Sequence, residues 1–547
     1  MSFRIGIDFD NTIAYTDQVF FYIAKQLGLI EGKSNLSKTQ IKEHIISQPS
    51  GDLTWQKLQG QVYGKYMHLA IIFPGFAEFL YLSKLRGHRV FIVSHKSEFG
   101  HFDEERVPLR EAAMDWMCAN KLVESGMLAL SKSEVFFEPT RETKIDRICD
   151  LGCTHFIDDL KEVFEEPGFP TESEKILFDP QSTNGSDQYI INVSSWRGIT
   201  RDLHGEWTEV EVCSIIQAVF PTLNVQKAEL RKGRGNSRIY QLTGRNKMSY
   251  ALKVYPDRQL DSRLRIETEF SVCNFLEATG FPVMKALVKD EHLNWAVYSW
   301  VSGAPIQSID EEFVDESANF IKRLLTESQS TEGFKDFPEA SEACLSGAEI
   351  VRQIHDRLRK LEQVKDVELL QFLKEFLPNM ELSIQAARNH ENGFFDNQLS
   401  RSKQILSPSD FGAHNAIRNE SGQIIFIDFE YFGWDDPVKL VSDFYWHPGM
   451  NLSEDLKKYW IQLSKSIFCE DVSFEQRLRA YLPLFGLRWC LILLNEFLPH
   501  RLSQRIRANS MKLIDIREMR LTQLKKSYSL LKQIMKITEY GSALKIS

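Results

Sequence analysis

Short β-rich runs alternate with helical stretches over the first two hundred residues. RIGIDFD at 4–10 reads as a buried strand, as do HRVFIVS at 88–94, HFIDD at 155–159 and YIINV at 189–193. Between them, 74–86 and 142–151 carry apolar residues at helical spacing. This alternation predicts an α/β domain over 1–202, a Rossmann-like parallel sheet with right-handed crossovers. Ligands of such sheets collect beyond the carboxyl ends of the strands, and those ends carry Asp8, Asp10, Ser94, Asp158 and Asp159. The interval from Thr12 to the second strand far exceeds a crossover helix. Its helical stretch, about 16–70, holds Phe20, Phe21, Tyr22, Trp55 and Tyr63 and is read as a cap over the site.

The pattern changes near 200. Residues 203–225 read as a helical connector, 226–303 as a small β-rich lobe, and 304–547 as a large helical lobe ending in an amphipathic helix, RLTQLKKSYSLLKQIMKI. No internal repeat or low-complexity linker separates the halves, so they are expected to pack together.

Bulk properties narrow the function. The chain has 547 residues, 43% hydrophobic and 12% aromatic, enough for two or three cores. Its net charge of -9 argues against nucleic acid as a partner. Neither a secretion leader nor an apolar run of about 18 residues is found, which predicts a cytoplasmic protein off the membrane. The eight cysteines are scattered and read as reduced thiols, with Cys149 and Cys153 on one packed helix face. A homo-oligomeric state is left open.

Asp8-Phe9-Asp10-Asn11-Thr12 places two carboxylates at a strand end. One is suited to attack phosphorus; the other can protonate the leaving group and then activate water. A phosphate dianion repels a carboxylate, so Mg²⁺ is required, with Asp158 and Asp159 available as oxygen ligands. Ser94 offers a hydroxyl and Lys144 a charge to phosphate oxygens; Arg141 and Arg147 compete with Lys144, and His95 and Lys96 border the substrate. DFDNT, FIVSHKS, the lysine of RETKIDR and HFIDDL, in that order, resemble the four motifs of the haloacid dehalogenase superfamily. The resemblance covers about 1–200. It implies Asp8 as nucleophile, Asp10 as acid/base, and Asp158 or Asp159 joining Asp8 and Asp10 around the metal.

In the second half, AELRKGRGNSRIYQLTG reads as two strands whose turn lets Gly233 and Gly235 approach phosphates. Lys253 lies among apolar residues and calls for an acid partner, Glu269 or alternatively Glu267. In ILSPSDFGAHNAIRNESGQIIFIDFEYFGWDDP, Asp410 can orient a hydroxyl while Asn415 and Asp428 hold Mg²⁺ against ATP. This half, about 225–545, resembles the aminoglycoside phosphotransferase and choline kinase-like group, of bilobal protein-kinase-like fold. The resemblance implies Asp410 as base, Asn415 and Asp428 as metal ligands, a Lys253–Glu269 pair, and adenine at the backbone of Ser299 to Val301. Pro408 stands where the group usually has histidine, so the loop must be held differently; His414 is a candidate for that task. Glu430, Asp435, Asp436, Asp443, Trp434, Trp446 and Trp489 either hold an amine acceptor or cap helices and fill the core.

The expectation is a bifunctional enzyme, an ATP-dependent kinase of a small hydroxyl compound and a phosphatase of a phosphomonoester. The alternative is one live site with the other domain regulatory. Kinase and phosphatase on the same position would cycle ATP futilely, so their substrates or positions should differ.

Overall fold

The computed structural model describes residues 2–31, 36–102, 105–181, 189–231, 237–259, 261, 263–330, 335–390, 393–499 and 513–540. Six strands form the N-terminal sheet, in the order Val135–Glu138, Arg89–His95, Arg4–Ile7, His155–Asp158, Glu174–Phe178 and Ile191–Val193. All neighbouring pairs are parallel. Alternate side chains divide the sheet between two apolar layers. Ile5, Ile7, Val90, Ile92 and Ile157 join one core with helix Phe76–Leu85, whereas Phe91, Val93, Phe156 and Leu177 pack with helix Arg141–Asp150 on the other. Gly6 lets the central strand meet Phe156, since a Cβ there would lie 2.5 Å from that ring.

The insert folds as helices Asp17–Gln26, Lys38–Ile46 and Gly51–Tyr63. Phe20 stacks on Trp55 at 5.1 Å between ring centroids, and Ile41, Ile45, Leu58 and Val62 are buried with them.

Helix Glu209–Val219 occupies most of the stretch read as a connector, 203–225, after helix Trp196–His204. It forms a joint core rather than a spacer. Ile215 and Ile216 pack with Ala77 of the first half and with Leu242, Leu252 and Trp295 of the second. Arg197 spans the halves, bonding Glu78 at 3.0 Å and the Tyr255 carbonyl at 3.2 Å.

The second half opens with a five-stranded antiparallel sheet, in the order Ala286–Asp290, Trp295–Ser299, Ser249–Val254, Arg238–Gly244 and Val225–Arg231, against helix Arg265–Ala278. A large helical part follows. Two small sheets inside it, Gly303–Pro305 with Ala416–Asn419 and Ile424–Phe426, and Ile405–Ser407 with Gly433–Asp435, hold the loops that carry Asp410, Asn415 and Asp428. The terminal helix Leu513–Tyr540 packs on helix Phe474–Leu493, with Ser527 Oγ donating to the Cys490 carbonyl at 3.0 Å. Among the described residues no helix is long and apolar enough to cross a membrane.

One sequence reading is corrected. Cys149 and Cys153 do not share a helix face, because the helix ends at Asp150 and Gly152 turns the chain at φ +58°. Cys149 is exposed and Cys153 enters the core; both are free thiols.

Candidate functional sites

Asp8 follows directly on the central strand, its N–H still bonded to the Ile157 carbonyl at 2.9 Å. The chain then turns through Asn11, at φ 56°, whose side chain accepts from Thr16 Oγ1 at 2.7 Å. Lys144 is buried, not solvated, and its Nζ lies 2.6 Å from Asp8 Oδ1 and 2.7 Å from Asp158 Oδ2. Burial opposes the Lys144 charge, but Asp158 and Asp8 outweigh it and hold the group above the ordinary lysine range. The competing arginines point elsewhere, Arg141 to Glu166 and Arg147 to Glu138.

Asp8, Asp158 and Asp159 offer oxygens within 4.8 Å of one another. Burial, then Asp158 and Asp8, push the Asp159 carboxyl well above the usual range. Lys144 pairs with two of these three acids, and the set of three carboxyl oxygens fits a hard divalent cation. Asp10 pairs with Lys96, whose Nζ is 2.8 Å from Oδ2. Ser94 is buried near the end of the neighbouring strand. His95 bonds the Pro139 carbonyl at 3.1 Å.

The insert packs beside Lys96, whose Nζ lies 4.9 Å from the Tyr63 ring centroid. Lys38 Nζ donates to Tyr63 Oη at 2.8 Å. Burial works against its charge, while Tyr63, Asp159 and Asp10 hold it above the ordinary range. Neither residue's contact was legible beforehand: Tyr63 was one of several insert aromatics, and Lys38 carried no signal.

In the second half, Lys253 Nζ sits 2.7 Å from Glu269 Oε2, 2.6 Å from Asp428 Oδ1 and 3.0 Å from Glu430 Oε2. Glu269 also accepts from Tyr255 Oη at 2.6 Å and from the Phe429 N–H at 3.2 Å. Glu267 pairs with Arg258 instead. Burial pushes the Asp428 carboxyl up to about 7, with Glu430 and Glu269 adding to the shift and Lys253 opposing it.

Asp410 and Asn415 are joined by a 2.9 Å bond from Asn415 Nδ2 to the Asp410 carbonyl. The loop at Pro408 is held without histidine at that position. The Pro408 carbonyl accepts from the Asp410 N–H at 2.9 Å. Ser407 Oγ accepts from the Ser409 N–H at 3.0 Å, and Ser409 Oγ donates to the Tyr431 carbonyl at 3.2 Å. His414 Nε2 lies 2.8 Å and His447 Nε2 3.8 Å from Asp410 Oδ1, with the two rings stacked at 3.8 Å. Although burial raises it, the bond from His414 and the neighbouring His414 and His447 rings hold the Asp410 carboxyl below the usual range. His447 had no signal in the sequence, being distant along the chain.

Residues 228–462 match the model of the Phosphotransferase enzyme family. The C-terminal half therefore contains a phosphotransferase-family domain. No curated protein matches the chain. Among solved structures, the chain is similar to a spectinomycin phosphotransferase in complex with ADP and spectinomycin, at 13% identity and TM-score 0.44, covering 61% of this chain and 99% of that one. It is also similar to a choline kinase from Streptococcus pneumoniae (15% identity, TM-score 0.39, 59% and 98% covered) and a Plasmodium vivax ethanolamine kinase (13%, 0.40, 64% and 96%).

Within the phosphotransferase domain, Ser299 ends strand Trp295–Ser299 with its N–H on the Lys285 carbonyl at 2.8 Å, and Val301 follows half-buried. Gly233 and Gly235 lie outside the described residues. The acids weighed for an amine acceptor are mostly engaged in structure: Asp435 accepts from the Cys344 N–H at 2.8 Å, Asp436 from the Val438 N–H at 2.9 Å, and Asp443 from Trp489 Nε1 at 2.8 Å. Trp446 Nε1 donates to the Leu482 carbonyl at 2.7 Å. These contacts favour capping and core filling over acceptor binding.

Proposed function

We propose that the chain is a bifunctional phosphoryl-transfer enzyme, joining a phosphomonoester phosphatase of haloacid dehalogenase type to a kinase of a small hydroxyl compound. The observation that carries the reading is a repeated arrangement. At each site a buried lysine ties together carboxylates from separate chain segments, Lys144 with Asp8 and Asp158, Lys253 with Glu269 and Asp428.

In the phosphatase, Asp8 attacks phosphorus and forms an aspartyl phosphate while Asp10 gives a proton to the departing alcohol. Asp10 then takes a proton from water, which attacks the aspartyl phosphate and releases inorganic phosphate. Lys144 and Ser94 steady the phosphoryl oxygens. Mg²⁺ held by Asp8 and by Asp158 or Asp159 would supply charge neutralisation.

In the kinase, Asp410 orients the acceptor hydroxyl, and His414 and His447 fix the carboxylate. Asn415 and Asp428 would hold Mg²⁺; Lys253, set by Glu269, meets the ATP phosphates, and the backbone from Ser299 to Val301 meets adenine. The acceptor is a sugar, polyol or amino alcohol.

Single substitutions in the full chain test the assignment. Asp8→Asn should abolish phosphomonoester hydrolysis and spare ATP-dependent phosphorylation across an alcohol panel; Asp410→Asn should do the reverse. Retention of either activity in its own variant overturns that half.

A further inference from the structure

The insert supplies two groups at the Asp8 site that hydrolysis itself does not use. A capping box between Ser37 and Gln40 starts helix Lys38–Ile46 and fixes Lys38 as its first residue. From there the side chain crosses Phe20, with Nζ 5.3 Å from the ring centroid, and reaches Tyr63. The ring of Tyr63 also lies 4.9 Å from Nζ of Lys96, which bonds Asp10. Tyr63 thus stands one residue from the acid that meets the leaving-group oxygen.

The three lysines here differ in their partners. Lys144 touches two carboxylates and Lys96 one. The Lys38 ammonium donates to a neutral phenol and, among the described residues, forms no ion pair, while its backbone N–H donates to Asp17 Oδ2 at 3.4 Å. The phenol accepts from Lys38, and among the described residues its own O–H donates to no acceptor. The half-buried ammonium, whose charge Asp159 and Asp10 support, keeps N–H donors for a ligand oxyanion, and a free phenol proton beside it completes a two-donor site.

We propose that Lys38 and Tyr63 bind a second oxyanion on the substrate, so the Asp8 site takes phosphomonoesters whose alcohol part carries a carboxylate or another phosphoryl group. This rests on the phosphatase reading of Asp8. Lys38 is placed on the leaving-group side because its partner Tyr63 lies against Lys96, which bonds Asp10. Selection is thereby made by the insert, and chemistry by the sheet.

The test uses the full chain with Mg²⁺ and three matched esters: propyl phosphate, the phosphate ester of hydroxypropionate, and the bisphosphate of propanediol. The expected kcat/KM for at least one doubly anionic ester exceeds that for propyl phosphate by about tenfold or more, and the better of the two identifies the oxyanion. Lys38→Met should bring this ratio close to one, Lys38→Arg should keep most of it, and Lys25→Met, on the exposed face of the insert, should leave it as in the wild type. Hydrolysis of all three esters at one rate, or an unaltered ratio in Lys38→Met, overturns the subsite alone. Failure to hydrolyse any ester overturns the phosphatase reading and the subsite with it.

Discussion

The Lys144 ammonium lies between Asp8 and Asp158, 2.6 Å from one carboxylate and 2.7 Å from the other. These acids end adjacent parallel strands, and the lysine arrives from the helix before the second of them. Lys144→Met should therefore lower phosphomonoester hydrolysis by about a hundredfold or more. It should also destabilise the metal-free protein by about 3–5 kcal/mol, because two buried carboxylates lose their counterion. Ester turnover and urea unfolding in chelator check the two effects, with kinase turnover as the internal control.

Divalent cations are expected to be essential at both sites. Chelation should abolish hydrolysis and ATP consumption together, and Mg²⁺ should restore both. Asp428→Asn should weaken calorimetric binding of ATP with Mg²⁺ and leave ester hydrolysis unchanged.

Asp410 is flanked by two imidazoles. The His447 Nδ1 accepts from the Gly449 N–H at 3.0 Å, so its proton is on Nε2, facing Asp410. His414→Ala should lower kinase kcat by about tenfold with KM for ATP little changed, the pattern of lost positioning rather than lost nucleotide binding. His414→Gln, which keeps a donor, should recover part of the loss. Equal loss in both variants would count against the donated bond.

Gly6→Ala should be destabilising by about 1–3 kcal/mol, since overpacking in a filled core forces a shift of Phe156 or of the strand. Thermal melting measures it. Hydrolysis should fall as well, because the same strand carries Asp8.

Acid should loosen the first half through His204. Its Nε2 donates to Ser83 Oγ at 2.8 Å, while Nδ1 is buried without a partner among the described residues. Burial, then the charges of His88 and Arg86, lower its pKa from 6.5 to about 4. The folded state resists the proton that the unfolded chain takes up near 6.5, so this contribution is intact above that pH and is lost as pH falls towards 4. Denaturant unfolding should show stability falling by up to about 1.4 kcal/mol per pH unit across that window from this group. His204→Gln should flatten that slope.

Much of this was legible along the chain because the relevant signals are local. Buried strands ending in Asp8 and Asp158, the acid-amide spacing of Asp410 and Asn415, and the strand before Asp428 all follow from short patterns whose period matches the backbone's. Lys253 among apolar residues demanded an acid, with Glu269 and Glu267 both open until packing brought Glu269 to it. What adjacency cannot encode is which distant groups meet. The burial of Lys144 between two strand ends, the approach of Tyr63 to Lys96, the pairing of Asp10 with Lys96, and the stacking of His447 on His414 depend on crossovers and helix packing. So does the conversion of an expected connector into a core shared by both halves. Sequence periodicity determines which face of each element is buried; only tertiary packing decides which charges are brought within contact, because the cost of burying a charge is settled by partners far away in the chain.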